Sequence, residues 1–161
     1  MKNAEVMMSV SELVRGHDLF QTLSPQEVER VSRFSAVKPF AKGEVVHHKD
    51  RPASHLFVLL DGQVRLHLPV ANGELSLVVG RIGKGELFGI APLLGAERYT
   101  TTARCAESCE VLAIEATPFM ALLKDNPYAS QELVTRVARA YFARYEALLG
   151  RFQAVIDQLA G

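Results

Sequence analysis

Glycines divide the middle of this chain into short segments, and this division limits the folds that the chain can adopt. Between residues 36 and 115 they occur at positions 43, 62, 73, 80, 83, 85, 89 and 95. The apolar run at 56–60 and the alternating segments at 64–68 and 75–79 are typical of strands, and Ala-Asn-Gly at 71–73 predicts a hairpin turn. Many short strands at regular spacing indicate an antiparallel sandwich or barrel.

Helical patterns flank this β region on both sides. Residues 9–34 read as helical, with Ser24 as an N-cap, Pro25 in the first turn and Glu27 three residues after the cap. Residues 117–124 predict a short helix, and one long helix is predicted from Pro127 almost to the end of the chain. The fold class expected is mainly β with flanking helices.

The long C-terminal helix carries a heptad pattern of apolar residues. The spacing alternates between four and three residues along Val134, Ala138, Tyr141, Tyr145, Leu148, Phe152, Val155 and Leu159. Phe142, Leu149 and Ile156 widen the apolar stripe on one flank. We expect a parallel two-fold homodimer along residues 134–159, with the same helix also contacting the barrel. The alternative is a single core helix packed only on its own domain.

Composition excludes several classes of protein. The chain has 161 residues, with 18 basic and 18 acidic side chains, which argues against a generally basic nucleic-acid binder. Two cysteines, Cys105 and Cys109, cannot build a disulfide scaffold or a four-cysteine zinc site. No apolar run reaches membrane-spanning length, and the N-terminus carries Glu5 and Glu12 without the apolar region of a secretory leader. We therefore expect a cytoplasmic protein without a membrane partner.

The order of these elements, together with several short motifs, resembles the effector domain of the Crp/Fnr transcriptional regulators, a cyclic-nucleotide-binding domain. The resemblance begins at His17 and covers nearly the whole remaining chain. The matching pieces are Phe-Ala-Lys-Gly-Glu at 40–44, Leu-Phe-Val-Leu-Leu-Asp-Gly-Gln-Val at 56–64, Gly-Lys-Gly-Glu-Leu-Phe-Gly at 83–89 and Cys-Glu-Val-Leu-Ala-Ile at 109–114. No single piece is diagnostic, but their order and spacing together are specific.

The resemblance implies an antiparallel double-stranded β-helix, or jelly roll, with its N-terminal helices in residues 1–126 and a dimerisation helix in 127–161. It also implies a ligand-sensing regulatory domain, not an enzyme, whose effector is cyclic AMP, cyclic GMP or another small anion. Such regulators continue into a helix-turn-helix domain, whereas this sequence ends at Gly161, so we expect no direct nucleic-acid contact from these residues.

The phosphate-binding cassette of the family corresponds to residues 88–102. By this resemblance the ligand contacts are Phe88, Gly89, Ile90, Ala91, Arg98, Tyr99 and Thr100, joined by Arg144 and Tyr145 on the long helix. A short helix beginning near Gly89 would offer backbone N–H groups to an anion, and Arg98 would supply forked hydrogen bonds to phosphate oxygens. The residues alone also allow Arg98 to be a solvated loop arginine paired with Glu97 or Glu86. Tyr145 could stack on a base, or could serve only in dimer packing.

Two residues of the cassette depart from the family pattern. Ile90 stands where cyclic-nucleotide binders usually carry an acidic residue for the ribose 2′-hydroxyl, and Pro92 removes an N–H from the cassette helix. The loop from Ile90 to Arg98 is also shorter than in typical cyclic AMP binders. These departures leave a second hypothesis open, in which a degenerate pocket binds nothing and the chain is a dimerising scaffold.

Histidines and cysteines provide the remaining candidates for chemistry. His17 precedes Leu-Phe-x-x-Leu-Ser-Pro, the segment in which nitric-oxide-responsive members of the family are thought to hold haem; a surface histidine is the alternative. Adjacent His47 and His48 would face opposite sides of a strand and cannot chelate one ion together. The two cysteines are expected to be buried and reduced, with a redox pair as the alternative. No metal site and no catalytic motif is predicted.

Overall fold

A computed structural model describes residues 8–161 of the chain and shows two four-stranded antiparallel sheets flanked by helices. The strands are β1 (Ser35–Phe40), β2 (Val45–His47), β3 (His55–Asp61), β4 (Val64–Val70), β5 (Leu75–Ile82), β6 (Leu87–Phe88), β7 (Thr102–Cys105) and β8 (Cys109–Glu115). The helices are α1 (Val10–Gly16), α2 (Pro25–Arg33), α3 (Ala116–Asp125) and α4 (Pro127–Ala160). Glu5, one of the two acidic residues that argue against a secretory leader, lies outside the described residues.

The sheet order confirms the predicted jelly roll. One sheet runs β1-β8-β3-β6 and the other β2-β7-β4-β5, so strands adjacent in sequence often lie in different sheets. β4 and β5 form the predicted hairpin, closed between Val70 and Leu75. Its turn, residues 71–73, has positive φ angles throughout, which the Asn-Gly sequence tolerates better than most.

The continuous apolar run of β3 reflects burial on both faces of its sheet. Leu56 and Val58 pack against the helices, whereas Phe57 and Leu59 face the opposite sheet in the sandwich interior. Side chains of a strand alternate between faces, so a strand with an alternating polar pattern would leave one of these two cores unfilled. The central strand therefore joins the sandwich core to a second core beneath α1–α4.

The helix starts follow their capping residues closely. Ser24 and Glu27 form a reciprocal capping box at the start of α2, as predicted. Asn126 caps α4 through Oδ1, which accepts from the Ala129 N–H, and its Nδ2 donates to Glu27. The N-terminal ends of α2 and α4 are thus joined by side-chain hydrogen bonds.

Helix α4 fully buries side chains against the barrel only in its first part. Ala129, Leu133 and Val137 are buried, whereas nearly all residues from Tyr141 onward are exposed. With 34 residues the helix extends about 50 Å. Beyond the packed part, Arg151 Nη1 donates to the Val78 carbonyl of edge strand β5 at 2.9 Å. Between residues 8 and 161, no helix combines the length and hydropathy needed to cross a bilayer.

Candidate functional site

The segment that links β6 to β7, residues 89–101, is held close to the sandwich interior by Gly89. Gly89 has φ of +64°, and a Cβ placed there would lie 2.7 Å from Cδ2 of Phe57. Only glycine fits both the backbone angle and this close approach. The chain then forms a short 3-10 helix at Ala91–Leu94, so the helix expected near Gly89 is displaced by two residues and shortened around Pro92.

This segment encloses a cavity of about 120 Å³ together with strand β2 and helix α4. Its lining is largely apolar and aromatic, with one positively charged side chain. The lining residues are His47, Leu66, Phe88, Gly89, Ile90, Ala91, Leu94, Ala96, Tyr99, Thr100, Thr101, Tyr141 and Arg144. The structure therefore brings together seven of the nine residues predicted to bind ligand, and it leaves Arg98 and Tyr145 outside the lining.

Arg144 is the charged residue of the cavity, and α4 carries it. Its side chain is 15% exposed and lies 3.6 Å from a Glu86 oxygen, measured from Nη2. That nitrogen is buried and makes no hydrogen bond to any residue from 8 to 161. The guanidinium also lies 5.2 Å from the centroid of the Tyr141 ring. This largely buried cation has one long ion pair, to a half-exposed carboxylate, and its Nη2 has no hydrogen bond within the described chain, which favours an anionic ligand beside it.

Arg98 points to a different part of the fold. Its Nη1 donates to the Asp50 carbonyl at 2.7 Å, and its backbone pairs with that of Pro52. These contacts tie the 89–101 segment to the loop between β2 and β3. The forked hydrogen bonds to phosphate that the family resemblance implies for Arg98 stay a prediction.

Ile90 lies under the cavity at the boundary between the barrel and α4. It is 4% exposed and belongs to the same buried cluster as Leu133 and Val137 of α4. The residue that departs from the family pattern thus fills space in the core. A carboxylate there would need a partner in an apolar setting, which the cluster does not supply.

Tyr99 locks the end of the segment onto β3. Its hydroxyl donates to the His55 carbonyl at 2.7 Å and accepts from the His55 N–H at 3.1 Å. Burial raises the pKa of Tyr99, so it remains a neutral phenol that can both donate and accept.

Removing the Tyr99 hydroxyl leaves both polar groups of the His55 backbone without their partner. Tyr99→Phe should lower the free energy of unfolding by about 1–3 kcal/mol, the usual cost of an unsatisfied buried group. Urea titration of both proteins at pH 7 measures this difference. An unchanged midpoint would show that the two hydrogen bonds of the Tyr99 hydroxyl contribute nothing to stability.

His47 is a cavity residue that the sequence did not identify. Its ring is 6% exposed and stacks on Tyr99, with 4.1 Å between centroids and 20° between planes. Burial lowers the pKa of the His47 ring from 6.5 to about 4, although the nearby Thr101 main chain favours the protonated ring and so raises the pKa in part. The strand alternation placed His47 and His48 on opposite faces, and this is what the structure shows, but it did not reveal which face would be closed over by the 89–101 segment.

Tyr141, assigned above to the dimer seam, lines the cavity beside Arg144. Tyr145 lies one turn further along α4 and is 57% exposed. The helix therefore presents Tyr141 and Arg144 to the cavity and Tyr145 to solvent.

The His17 ring is already engaged in the local backbone structure. Its Nδ1 accepts from the Leu19 N–H at 3.2 Å, so the proton of the neutral ring lies on Nε2. A histidine that ligates iron through Nε2 carries its proton on Nδ1 and donates from it. The environment of His17 therefore does not fit a haem ligand. Across residues 8–161 no group of three or more His, Cys, Asp or Glu side chains could hold a metal ion.

Cys105 and Cys109 are both buried free thiols. Burial raises the pKa of Cys105 to about 12, which keeps it protonated, and Cys109 donates to the carbonyls of Gln63 and Glu107. Cys105 is inert by this criterion because the thiolate is the reactive form.

Comparisons with known proteins agree with this architecture. The family profile described as "Cyclic nucleotide-binding domain" matches residues 37–126. The Cyclic AMP receptor protein of Thermus thermophilus is 26% identical over 126 residues, which are 78% of this chain and 58% of that protein. The chain thus spans little more than half the length of that relative.

Solved structures show the same fold. The catabolite activator protein of Thermus thermophilus has a TM-score of 0.62 at 25% identity, covering 88% of this chain and 62% of that one. The sensor domain of the transcriptional regulator DNR from Pseudomonas aeruginosa has a TM-score of 0.68 at 20% identity, covering 80% of this chain and 91% of that one. The family profile, the relative and the fold together show that this chain belongs to the cyclic nucleotide-binding domain family, with homologues among the Crp/Fnr regulators.

Proposed function

We propose that this chain is a non-enzymatic sensing domain that binds a small anionic effector in the cavity between residues 88–101 and α4. The observation that carries the proposal is that α4 itself contributes Tyr141 and Arg144 to the cavity wall. An effector there contacts the barrel and the helix together. It therefore changes the position of α4 to the extent that it binds one helix arrangement more tightly than another.

In this proposal the domain forms a homodimer along residues 134–159 of α4, and this dimer transmits the signal. Large apolar side chains on this part of the helix are exposed, including Phe152 at 67% and Leu159 at 79%. Such a continuous apolar stripe on a helix beyond its own barrel fits a second copy of the same helix. Residues 1–126 would then supply most of the effector cavity, and 127–161 would complete it and transmit the signal.

The proposal also includes control of transcription in the cytoplasm. It is supported by relatives such as the "CRP-like cAMP-activated global transcriptional regulator" of Mycobacterium tuberculosis, 18% identical over 130 residues. The match covers 58% of that protein, so the link to DNA would be made by residues outside the region of similarity.

Thermal unfolding with and without effector tests the sensing function. A ligand present at a hundred times its dissociation constant stabilises the folded state by about 2.7 kcal/mol. For a domain of this size that corresponds to a rise in Tm of about 5–10 °C. The assay should include cyclic AMP, cyclic GMP and a set of small organic anions. If every compound leaves the Tm unchanged, the sensing function is wrong.

The two candidate arginines can be separated by mutation. We expect Arg144→Ala to weaken binding of the stabilising compound at least thirtyfold, because it removes the cation from the cavity, whereas Arg98→Ala should change it less than threefold. Isothermal titration calorimetry of both variants measures the difference. A large loss in Arg98→Ala with little effect in Arg144→Ala would move the anion to the cassette arginine, as the family resemblance implies.

The burial of Ile90 favours a second candidate function, a dimerising scaffold with a degenerate pocket. In that case no compound in the assay would bind the wild type or change its Tm. Ile90→Glu, checked for folding by circular dichroism, would restore the acidic residue of the family pattern and gain cyclic AMP binding. Binding by the wild type would rule the scaffold out.

A further inference from the structure

The least expected polar group of the cavity is His47. Its side chain is buried among Tyr99, Phe57 and Phe88, and neither ring nitrogen makes a hydrogen bond of acceptable geometry to residues 8–161. Buried polar atoms in folded proteins are nearly always paired, and an unpaired one costs about 1–3 kcal/mol. A leucine or phenylalanine would fill the same space without this cost, so packing alone does not account for an imidazole at this position.

The position of His47 connects it to the effector cavity. The ring lines the cavity with Tyr99 and Phe88 on the barrel side, while Tyr141 and Arg144 line it from α4. At neutral pH the buried ring is uncharged, so it presents one N–H donor and one nitrogen acceptor. The cavity thus offers aromatic surfaces, one cation and one neutral group able to donate and accept.

We propose that this cavity selects a small flat organic acid with a hydrogen-bonding substituent. The carboxylate of such a molecule pairs with Arg144, its ring lies among the aromatic side chains, and its substituent hydrogen-bonds to His47. The inference rests on the proposed function, because it names the chemical class of the effector for the same cavity. It assigns to His47 a recognition role that the family resemblance does not contain.

The size of the cavity favours this class over a nucleotide. Its volume of about 120 Å³ lies below the roughly 300–1,000 Å³ of ordinary ligand pockets. Ile90 also offers no acceptor for a ribose hydroxyl. A single aromatic ring with two polar groups matches both the volume and the lining, whereas a purine nucleotide would require α4 to move away from the barrel.

Calorimetry with benzoate and with 2-, 3- and 4-hydroxybenzoate tests the assignment. We expect at least one hydroxybenzoate to bind the wild type tenfold more tightly than benzoate, because only its hydroxyl reaches His47. His47→Phe keeps the aromatic stack but lacks both nitrogens, so it should lose this preference while still binding benzoate. His48→Phe, on the exposed neighbouring residue, is the matched control and should behave as the wild type.

A second measurement does not depend on the folding of a variant. In nitrogen-15 spectra of the wild-type histidines, the bound hydroxybenzoate should shift the ring nitrogens of His47 more than those of His48, His55 or His67. Unshifted His47 nitrogens, a tenfold preference that survives in His47→Phe, or the failure of every hydroxybenzoate to bind would each overturn the inference. If cyclic AMP, cyclic GMP or another anion of the thermal assay then binds in an Arg144-dependent way, the sensing function stands without this inference; if every compound fails, both are wrong.

Discussion

Phe152→Asp should raise the dissociation constant of the homodimer at least a thousandfold. In a two-fold dimer the substitution removes two aromatic rings from the interface, each contributing about 1.5–3 kcal/mol of burial, and places two like charges near each other. A thousandfold change corresponds to about 4 kcal/mol. Phe152 is 67% exposed and contacts no part of the barrel core, so the fold of each protomer should be retained.

The matched control introduces the same charge on the other side of the helix. Ala154 is also exposed, and it lies about 200° around the helix from Phe152 at 3.6 residues per turn. Ala154→Asp should therefore change the dimer dissociation constant less than threefold. Sedimentation equilibrium of the three proteins measures the constants. A monomeric wild type, or equal constants in all three, would show that the heptad stripe is not a dimer seam.

The second large effect concerns the pH dependence of stability. The pKa of His47 is about 4 in the folded state because of burial, against 6.5 when the group is free. Between these pH values the unfolded chain therefore binds more protons than the folded chain. The contribution of His47 to the free energy of unfolding is complete above pH 6.5, where the ring is neutral in both states, and is lost as the pH falls towards 4. At 1.36 kcal/mol per unit, the loss is about 3 kcal/mol.

His47→Phe removes this contribution and leaves the other histidines in place. Burial also lowers the pKa values of His17, His55 and His67, and their smaller effects are common to both proteins. Urea titrations at pH 7, 6, 5 and 4 should show a markedly smaller loss of stability in the variant. Parallel profiles for the two proteins would mean that His47 titrates normally and is open to solvent.

Much of the fold could be predicted from local signals in the sequence. Capping at Ser24 depends on side chains within three residues of the helix start, so the start of α2 could be predicted directly, and Pro127 marked the start of α4. Glycine spacing and apolar alternation predicted β3, β4 and β5, and the resemblance predicted that the strands form a jelly roll. The homodimer stays a prediction because it depends on contacts with a second copy of the chain, and the division at residue 126 stays a prediction as well.

The site was less predictable because its lining comes from segments far apart in the sequence. Arg98 follows the family pattern, yet its guanidinium contacts Asp50, a residue of a distant loop with φ of +67°. Tyr141 and Tyr145 are consecutive residues of the predicted seam, and only the packing of α4 on the barrel shows that Tyr141 lines the cavity. His47 carries no motif at all. Its role follows from burial and unpaired nitrogens, which only the three-dimensional structure reveals.

The central claim is that α4 responds to what the cavity holds, and dimerisation measured with and without ligand tests it most directly. Sedimentation equilibrium should be repeated at saturating concentration of whichever compound among cyclic AMP, cyclic GMP and the hydroxybenzoates raises the Tm most. We expect the dimer dissociation constant to change at least fivefold, the lower end of ordinary coupling between sites. A compound that raises the Tm while the dimer constant stays the same would contradict the account.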